Sequence, residues 1–243
     1  MSIAVSTQRD VFLLSTKSVS YAFGVDCLLY TSGWVLCALL IVYGIRLGGI
    51  LLWREIKSAS YRKTLDEATG GKPIPLFVKA VIWVCVAVMY VTQVSPVFYR
   101  AANGDAGGAA AVAGAVVMAL ALIIESTADK QKSAAKKENP HRFCDKGLYK
   151  LVRCPNYLGE VLFWTGVLIS GAGALRGWVQ WLVAVIGYVL IVYVMFSGAK
   201  RLEVRQNKNY GDDPEYRAYA DKTPILLPFV PLYHLTDVKF IVV

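Results

Sequence analysis

This 243-residue chain has few histidines, few charged residues and no cysteine pair with the C-x-x-C spacing. It has two histidines and five cysteines, no two cysteines are spaced C-x-x-C, and charged residues make up 18% of the sequence. So few potential ligands argue against a zinc site or a disulfide framework, and we expect no metal. The low charge, beside 56% hydrophobic residues, excludes a disordered chain.

Five hydrophobic runs about as long as a bilayer is thick follow one another along the chain. They are Trp34–Trp53, Leu76–Tyr99, Gly108–Ala128, Tyr157–Leu175 and Trp178–Gly198. A helix of about 20 residues crosses about 30 Å of hydrocarbon, so each run predicts a membrane span. A weaker run, Asp10–Tyr30, predicts a sixth helix, with an interfacial helix as the alternative. We therefore expect an all-α, multi-pass integral membrane bundle that forms one domain over residues 1–243.

Positive charge is concentrated in every second loop between these runs. Lysine and arginine total 26 against 17 acidic residues, a formal net charge of +9. Cytoplasmic loops collect such residues, which predicts a cytoplasmic C-terminus and makes nucleic-acid binding the weaker explanation. The first residues lack the pattern of a cleaved signal peptide. We expect a protein of a bacterial inner membrane or the endoplasmic reticulum, in contact with membrane lipids and without a nucleic-acid partner.

One face of the first clear run carries a phenol and several cations. At 100° per residue, Arg54 lies about 20° from Tyr43 around a helix, and Arg46 and Lys57 lie within about 60° of it. Snorkelling to the lipid headgroups explains Arg54 and Lys57 equally well. Arg46 lies about two turns further inside, where an ionisable group is costly and indicates function.

Two pairs of polar residues occupy i, i+4 positions in later runs. Glu125 and Asp129 come at the end of a predicted span, where acids oppose the helix dipole; a solvated face is the alternative explanation. Pro155 predicts a helix start, which places Asn156 and Glu160 on one helix face. Glu160 already enters an apolar run, so this amide and carboxylate beside a basic loop predict a polar pocket.

Three segments carry a resemblance to a known family. They read YGIRLGGILLWRE from Tyr43, GLYKLVRCPNYLGE from Gly147 and KRLEVRQNKNYGDDPEYRAYADKTPILLPF from Lys200. From roughly Trp34 to Pro228 the chain resembles the C-terminal half of steroid-5-alpha-reductase-like membrane proteins. Sterol reductases and, more distantly, isoprenylcysteine carboxyl methyltransferases are related to them. Cys154 occupies the position where the family string has a histidine.

The resemblance implies an enzyme that uses NADPH to reduce a carbon–carbon double bond conjugated to a carbonyl. Tyr43 falls where the family places a tyrosine that hydrogen-bonds the substrate ketone, and Asp26 is our candidate for its acidic partner. Asn156 and Glu160 would hold the nicotinamide carboxamide. The rest of the cofactor pocket would be lined by Arg54, Lys57, Glu125, Asp129, Lys136 and Arg142. The donor tyrosine thus belongs to segment 34–75, and most cofactor contacts belong to segment 120–228.

Three functions compete on this pattern. The first is an NADPH-dependent reductase of a hydrophobic, steroid-like or other lipidic enone. The second is a methyltransferase of the isoprenylcysteine type that uses S-adenosylmethionine. Its family replaces the acid at the position of Glu160 with an apolar residue, so Asn156 together with Glu160 favours the reductase. The third is a non-catalytic membrane scaffold with the same fold, which would bind neither cofactor.

Overall fold

The computed structural model describes residues 33–50, 52, 56, 75–104 and 108–241. Every regular element in these ranges is a helix. The α-helices are α1 (Gly33–Ile50), α2 (Leu76–Ala102), α3 (Ala109–Glu138), α4 (Pro155–Gly171), α5 (Gly177–Tyr210) and α6 (Pro214–Lys222). A 3-10 helix, Gly147–Lys150, lies between α3 and α4. The predicted all-α bundle is confirmed for this part of the chain.

Four of the described helices, α1, α2, α3 and α5, are long and apolar enough to cross a membrane. Large apolar side chains stay exposed along them, among them Trp83 on α2 and Trp178 on α5, as expected for surfaces that face lipid. The remaining clear run, Tyr157–Leu175, forms α4, which has 17 residues and ends at Gly171, before the predicted end at Leu175. The predicted sixth helix, Asp10–Tyr30, lies outside the described residues.

Helix α4 lies in the middle of the bundle and packs against α2, α3 and α5. Pro155 is its first residue, as predicted, because the missing N–H of proline costs nothing in a first turn. Glycines bring α4 and α3 together: a Cβ on Gly166 would lie 2.7 Å from the carbonyl oxygen of Gly114. The small residues of α3 therefore permit close helix packing, which is what their clustering predicts.

Two helices continue beyond the spans predicted for them. α3 runs to Glu138 and α5 to Tyr210, since the polar residues after each hydrophobic run are good helix formers. Glu125 and Asp129 therefore lie inside α3 and not at its end. The prediction that these acids oppose the dipole of a helix terminus was wrong, because that effect is confined to the last turn.

The chain after α6 returns to cover the N-terminal end of α4. Two charged side chains of α5 hold this segment, residues 223–241. The carboxylate of Glu203 accepts a hydrogen bond from the backbone N–H of Leu235 at 2.7 Å. The ammonium group of Lys200 donates to the carbonyl oxygen of Ile241 at 3.0 Å. Paired in this way, both charges are buried and the C-terminal segment becomes part of the core.

Candidate functional site

A phenol and a carboxyl group from two distant parts of the chain meet in the core. Tyr43 on α1 donates a hydrogen bond through its hydroxyl to Oε1 of Glu160 on α4. The indole N–H of Trp164, one turn further along α4, donates to the same oxygen at 3.1 Å. The Tyr43 ring stacks on Phe163, with centroids 4.4 Å apart, and only 4% of Tyr43 is exposed. The polar contact therefore lies within an aromatic, largely water-free environment.

Arg46 extends this cluster on the same face of α1, three residues after Tyr43. Its guanidinium group binds two acids of α3, one through each terminal nitrogen: Nη1 donates to Glu125 and Nη2 to Asp129. Glu125 is buried, whereas the side chain of Asp129 is 43% exposed. The shared face predicted for Tyr43 and Arg46 thus faces polar partners on the neighbouring helices, and snorkelling does not describe Arg46.

Gly159 lets the acids of α3 and α4 approach each other. A Cβ at this position would lie 2.3 Å from Cγ of Glu125, so only glycine leaves room for that side chain. Glu125 and Glu160 are close enough to interact electrostatically. Among the described residues, Oε1 of Glu125 is buried and has no hydrogen-bond partner. The described part of the core therefore leaves one carboxyl oxygen without a hydrogen bond.

Asn156 is one turn before Glu160 on α4 and is partly exposed. A carboxamide ligand offers one acceptor and two donors, which an amide and a carboxyl group on one helix face can match. Glu160 keeps lone pairs for such a ligand after its bonds to Tyr43 and Trp164. These two residues therefore fit the nicotinamide end of the predicted cofactor.

Lys136 and Arg142 lie apart from this cluster. Lys136 is 11 residues beyond Glu125 on α3, about 16 Å along the helix axis. Its ammonium group donates to the hydroxyl of Tyr210 at 2.7 Å and to two backbone carbonyl oxygens. Arg142 pairs with Glu215 of α6 at 2.7 Å, and hydrogen bonding to this carboxylate raises the pKa of Arg142. In this structure both cations join the α3–α4 connection to the ends of α5 and α6.

Two exposed lysines of α3 that are not among the predicted site residues line a surface depression. Lys130 and Lys137 line a surface depression of about 380 Å³, together with Asp129, Ser133 and Ala134. Both ammonium groups are exposed, and neither forms an ion pair with a described residue. Their spacing of seven residues on one helix face is the signal that could have identified them.

Three predicted site residues, Asp26, Arg54 and Lys57, lie outside the described residues. Their roles remain predictions. Within the described ranges, no group of three or more histidine, cysteine or acidic side chains is arranged to hold a metal ion.

Cys154, at the position of the family histidine, is 1% exposed and packs among apolar residues below the C-terminal segment. Burial raises the pKa of its thiol to about 12. Beside it, Arg153 forms a buried ion pair with Glu203 at 2.8 Å. This part of the motif therefore anchors the C-terminal segment, a role that the sequence pattern does not reveal.

One family model matches the chain over residues 11–223, and its description reads "Protein of unknown function (DUF1295)". No curated protein and no solved structure matches the chain.

Proposed function

Since the chain belongs to this DUF1295 family, a group of steroid-reductase-like membrane proteins, we propose that it is an NADPH-dependent reductase embedded in the membrane. Its substrate would be a hydrophobic compound with a carbon–carbon double bond conjugated to a carbonyl. The observation that carries the proposal is the contact between Tyr43 and Glu160, which unites the two motif segments in one buried site.

The cofactor would lie along α3 and α4. Asn156 and Glu160 would bind the carboxamide of the nicotinamide, while Lys130 and Lys137 suit its phosphate groups, because ammonium groups form strong charge-assisted bonds to phosphate oxygens. Arg54 and Lys57 remain proposed contacts. Bound NADPH supplies the hydride for the reduction.

The chemical role of the protein's own residues centres on Tyr43. With substrate bound, the hydroxyl would turn its one hydrogen from Glu160 to the substrate carbonyl. This hydrogen bond would stabilise the negative charge that develops on the carbonyl oxygen when the β carbon is reduced. Phe163 and Trp164 surround the phenol and exclude water, so that hydrogen bond acts in a medium of low dielectric constant. An apolar environment also suits a lipidic substrate.

The proposal includes an integral membrane location with about six spans and a cytoplasmic C-terminus. The basic ends of α3 and α5 would then lie on the side where soluble NADPH is available. A bacterial inner membrane or the endoplasmic reticulum would satisfy this topology.

The first experiment is to measure NADPH and S-adenosylmethionine binding side by side, on the purified full chain in detergent. We expect binding of NADPH alone, followed by oxidation of NADPH in a screen of sterol and polyprenyl enones. Binding of S-adenosylmethionine alone would favour the methyltransferase, and binding of neither by folded protein would favour a scaffold.

A matched pair of variants localises the cofactor. Glu160→Gln keeps the acceptor oxygen for Tyr43 but loses its charge, and we expect the Kd for NADPH to rise about tenfold or more. Glu138→Gln, an exposed carboxylate on α3, serves as the control and should leave the Kd unchanged. Equal affinities in the two variants would remove Glu160 from the cofactor site.

A further inference from the structure

Three carboxyl groups and one guanidinium group form a cluster of charged side chains between α1, α3 and α4. The carboxyl groups belong to Glu125, Asp129 and Glu160. The guanidinium group belongs to Arg46, which binds the first two of these acids. If every group were ionised, this set of described residues would carry two uncompensated negative charges. Uncompensated charge in a membrane interior is costly, so at least one of these acids is expected to keep its proton.

The hydrogen bonds indicate where that proton lies. Oε2 of Glu125 accepts from Arg46, whereas Oε1 is buried and has no hydrogen-bond partner among the described residues. Oε1 of Glu160 accepts from Tyr43 and Trp164. Two ionised carboxylates offer only acceptors and repel each other, but one proton between them converts the repulsion into a hydrogen bond and satisfies Oε1 of Glu125.

We propose that Glu125 and Glu160 share one proton, and that this carboxyl pair returns a proton to Tyr43 after each reduction. The second part rests on the proposed function. Tyr43 is the only described residue of α1 that forms a hydrogen bond with Glu160. A second phenol, Tyr90 of α2, lies near this site, with its ring centroid 6.3 Å from that of Trp164.

Each proton and electron of one turnover comes from this cluster, from NADPH or from water. Two electrons reach the β carbon of the substrate with the hydride that NADPH provides. The proton of the Tyr43 hydroxyl goes to the substrate, and the resulting phenolate takes the shared proton of the carboxyl pair. Both carboxyl groups are then ionised, and the pair recovers a proton from water at the partly exposed Asp129 end of the cluster.

The resting protein gives a test that needs no cofactor. Infrared spectroscopy of the purified full chain near neutral pH should show the carbonyl stretch of a protonated carboxyl group, with a shift in D₂O. We expect Glu125→Gln and Glu160→Gln each to abolish this band, because the remaining acid ionises against Arg46 or against its two hydrogen-bond donors. The control Glu138→Gln should retain it.

Tyr43→Phe provides a readout that does not depend on the carboxyl variants folding. This change removes one donor to Glu160, so the band should remain and move in frequency. A folded wild-type protein without the band overturns the proposal. So does a band that both glutamine variants retain. Loss of the band in only one variant also overturns the sharing, because the proton then belongs to that residue alone.

The proton-return role is tested on the enone that the wild-type protein reduces fastest. For Glu125→Gln we expect a burst of one product per protein, followed by steady turnover roughly ten- to a hundredfold slower than in Glu138→Gln. Unchanged steady turnover would overturn this role. If no enone is reduced and NADPH does not bind, the proposed function fails, while the infrared band still decides whether the proton is shared.

Discussion

Tyr43 and Glu160 are 117 positions apart in the sequence and are joined by a hydrogen bond in the core of the bundle. The contact puts a phenol donor and an acid of the second motif in one desolvated environment. The phenol therefore has an acidic partner on α4, whereas the acid proposed from the resemblance, Asp26, lies outside the described residues.

Removing the hydroxyl of Tyr43 should separate chemistry from binding. In Tyr43→Phe we expect kcat to fall about a hundredfold or more, because the developing charge on the substrate oxygen loses its donor. The Kd for NADPH should change by less than about threefold. Turnover and cofactor titration on the same preparation check both values, and unchanged turnover would exclude Tyr43 as the donor.

Close packing between α3 and α4 should make Gly166 intolerant of a side chain. A Cβ there would lie 2.7 Å from the carbonyl oxygen of Gly114 and 2.9 Å from the backbone nitrogen of Met118, neither of which can move aside. We expect Gly166→Ala to lower the free energy of unfolding by about 1–3 kcal/mol. Thermal unfolding in detergent measures this change.

Gly44 offers the matched control for that substitution. It lies on α1, and no other part of the described chain comes within 4 Å of a Cβ added there. Gly44→Ala should leave stability unchanged or raise it by up to about 1 kcal/mol, as alanine is the better helix former. Equal effects at the two glycines would contradict the close helix contact.

Glu203 should be essential for holding the C-terminal segment. Glu203→Gln leaves the charge of Arg153 buried without its ion-pair partner, and removing one member of such a pair costs about 3–5 kcal/mol. Limited proteolysis within residues 223–241 should accelerate in step with the loss of stability. Glu215→Gln breaks the exposed pair with Arg142 and should cost much less stability, because solvent screens that pair. A similar cost for both variants would contradict the anchoring role of Glu203.

The buried thiol of Cys154 should make the protein sensitive to alkali. Burial raises its pKa from 9.0 to about 12, so the unfolded chain loses this proton first as the pH rises. The stabilising contribution is complete below pH 9 and disappears as the pH approaches 12. At pH 10.5 the free energy of unfolding should therefore be lower by roughly 2 kcal/mol than at pH 7 from this group alone.

Comparison with Cys154→Ala isolates the contribution of that thiol, because other titrating groups affect both proteins alike. The variant should lose less stability between pH 7 and pH 10.5. Identical pH dependence in the two proteins would show that the thiol is not desolvated in the folded state.

The sequence alone predicted the features that depend on neighbours along the chain. Runs of apolar residues gave the positions of the helices, Pro155 gave the start of α4, and the 3.6-residue period placed Tyr43 and Arg46 on one face. Each of these features follows from local backbone geometry or from the thickness of the hydrocarbon core. A segment of about 20 residues is enough to recognise them.

Only the tertiary structure decided which faces meet. Helical periodicity orients Glu160 but does not say which helix lies opposite, so its bond to Tyr43 could not be derived from spacing. The same holds for Arg46 between two acids of α3 and for Glu203 beneath the C-terminal segment. Which residues become partners depends on how closely the helices approach each other. Glycines such as Gly159 and Gly166 permit a close approach because they have no side chain.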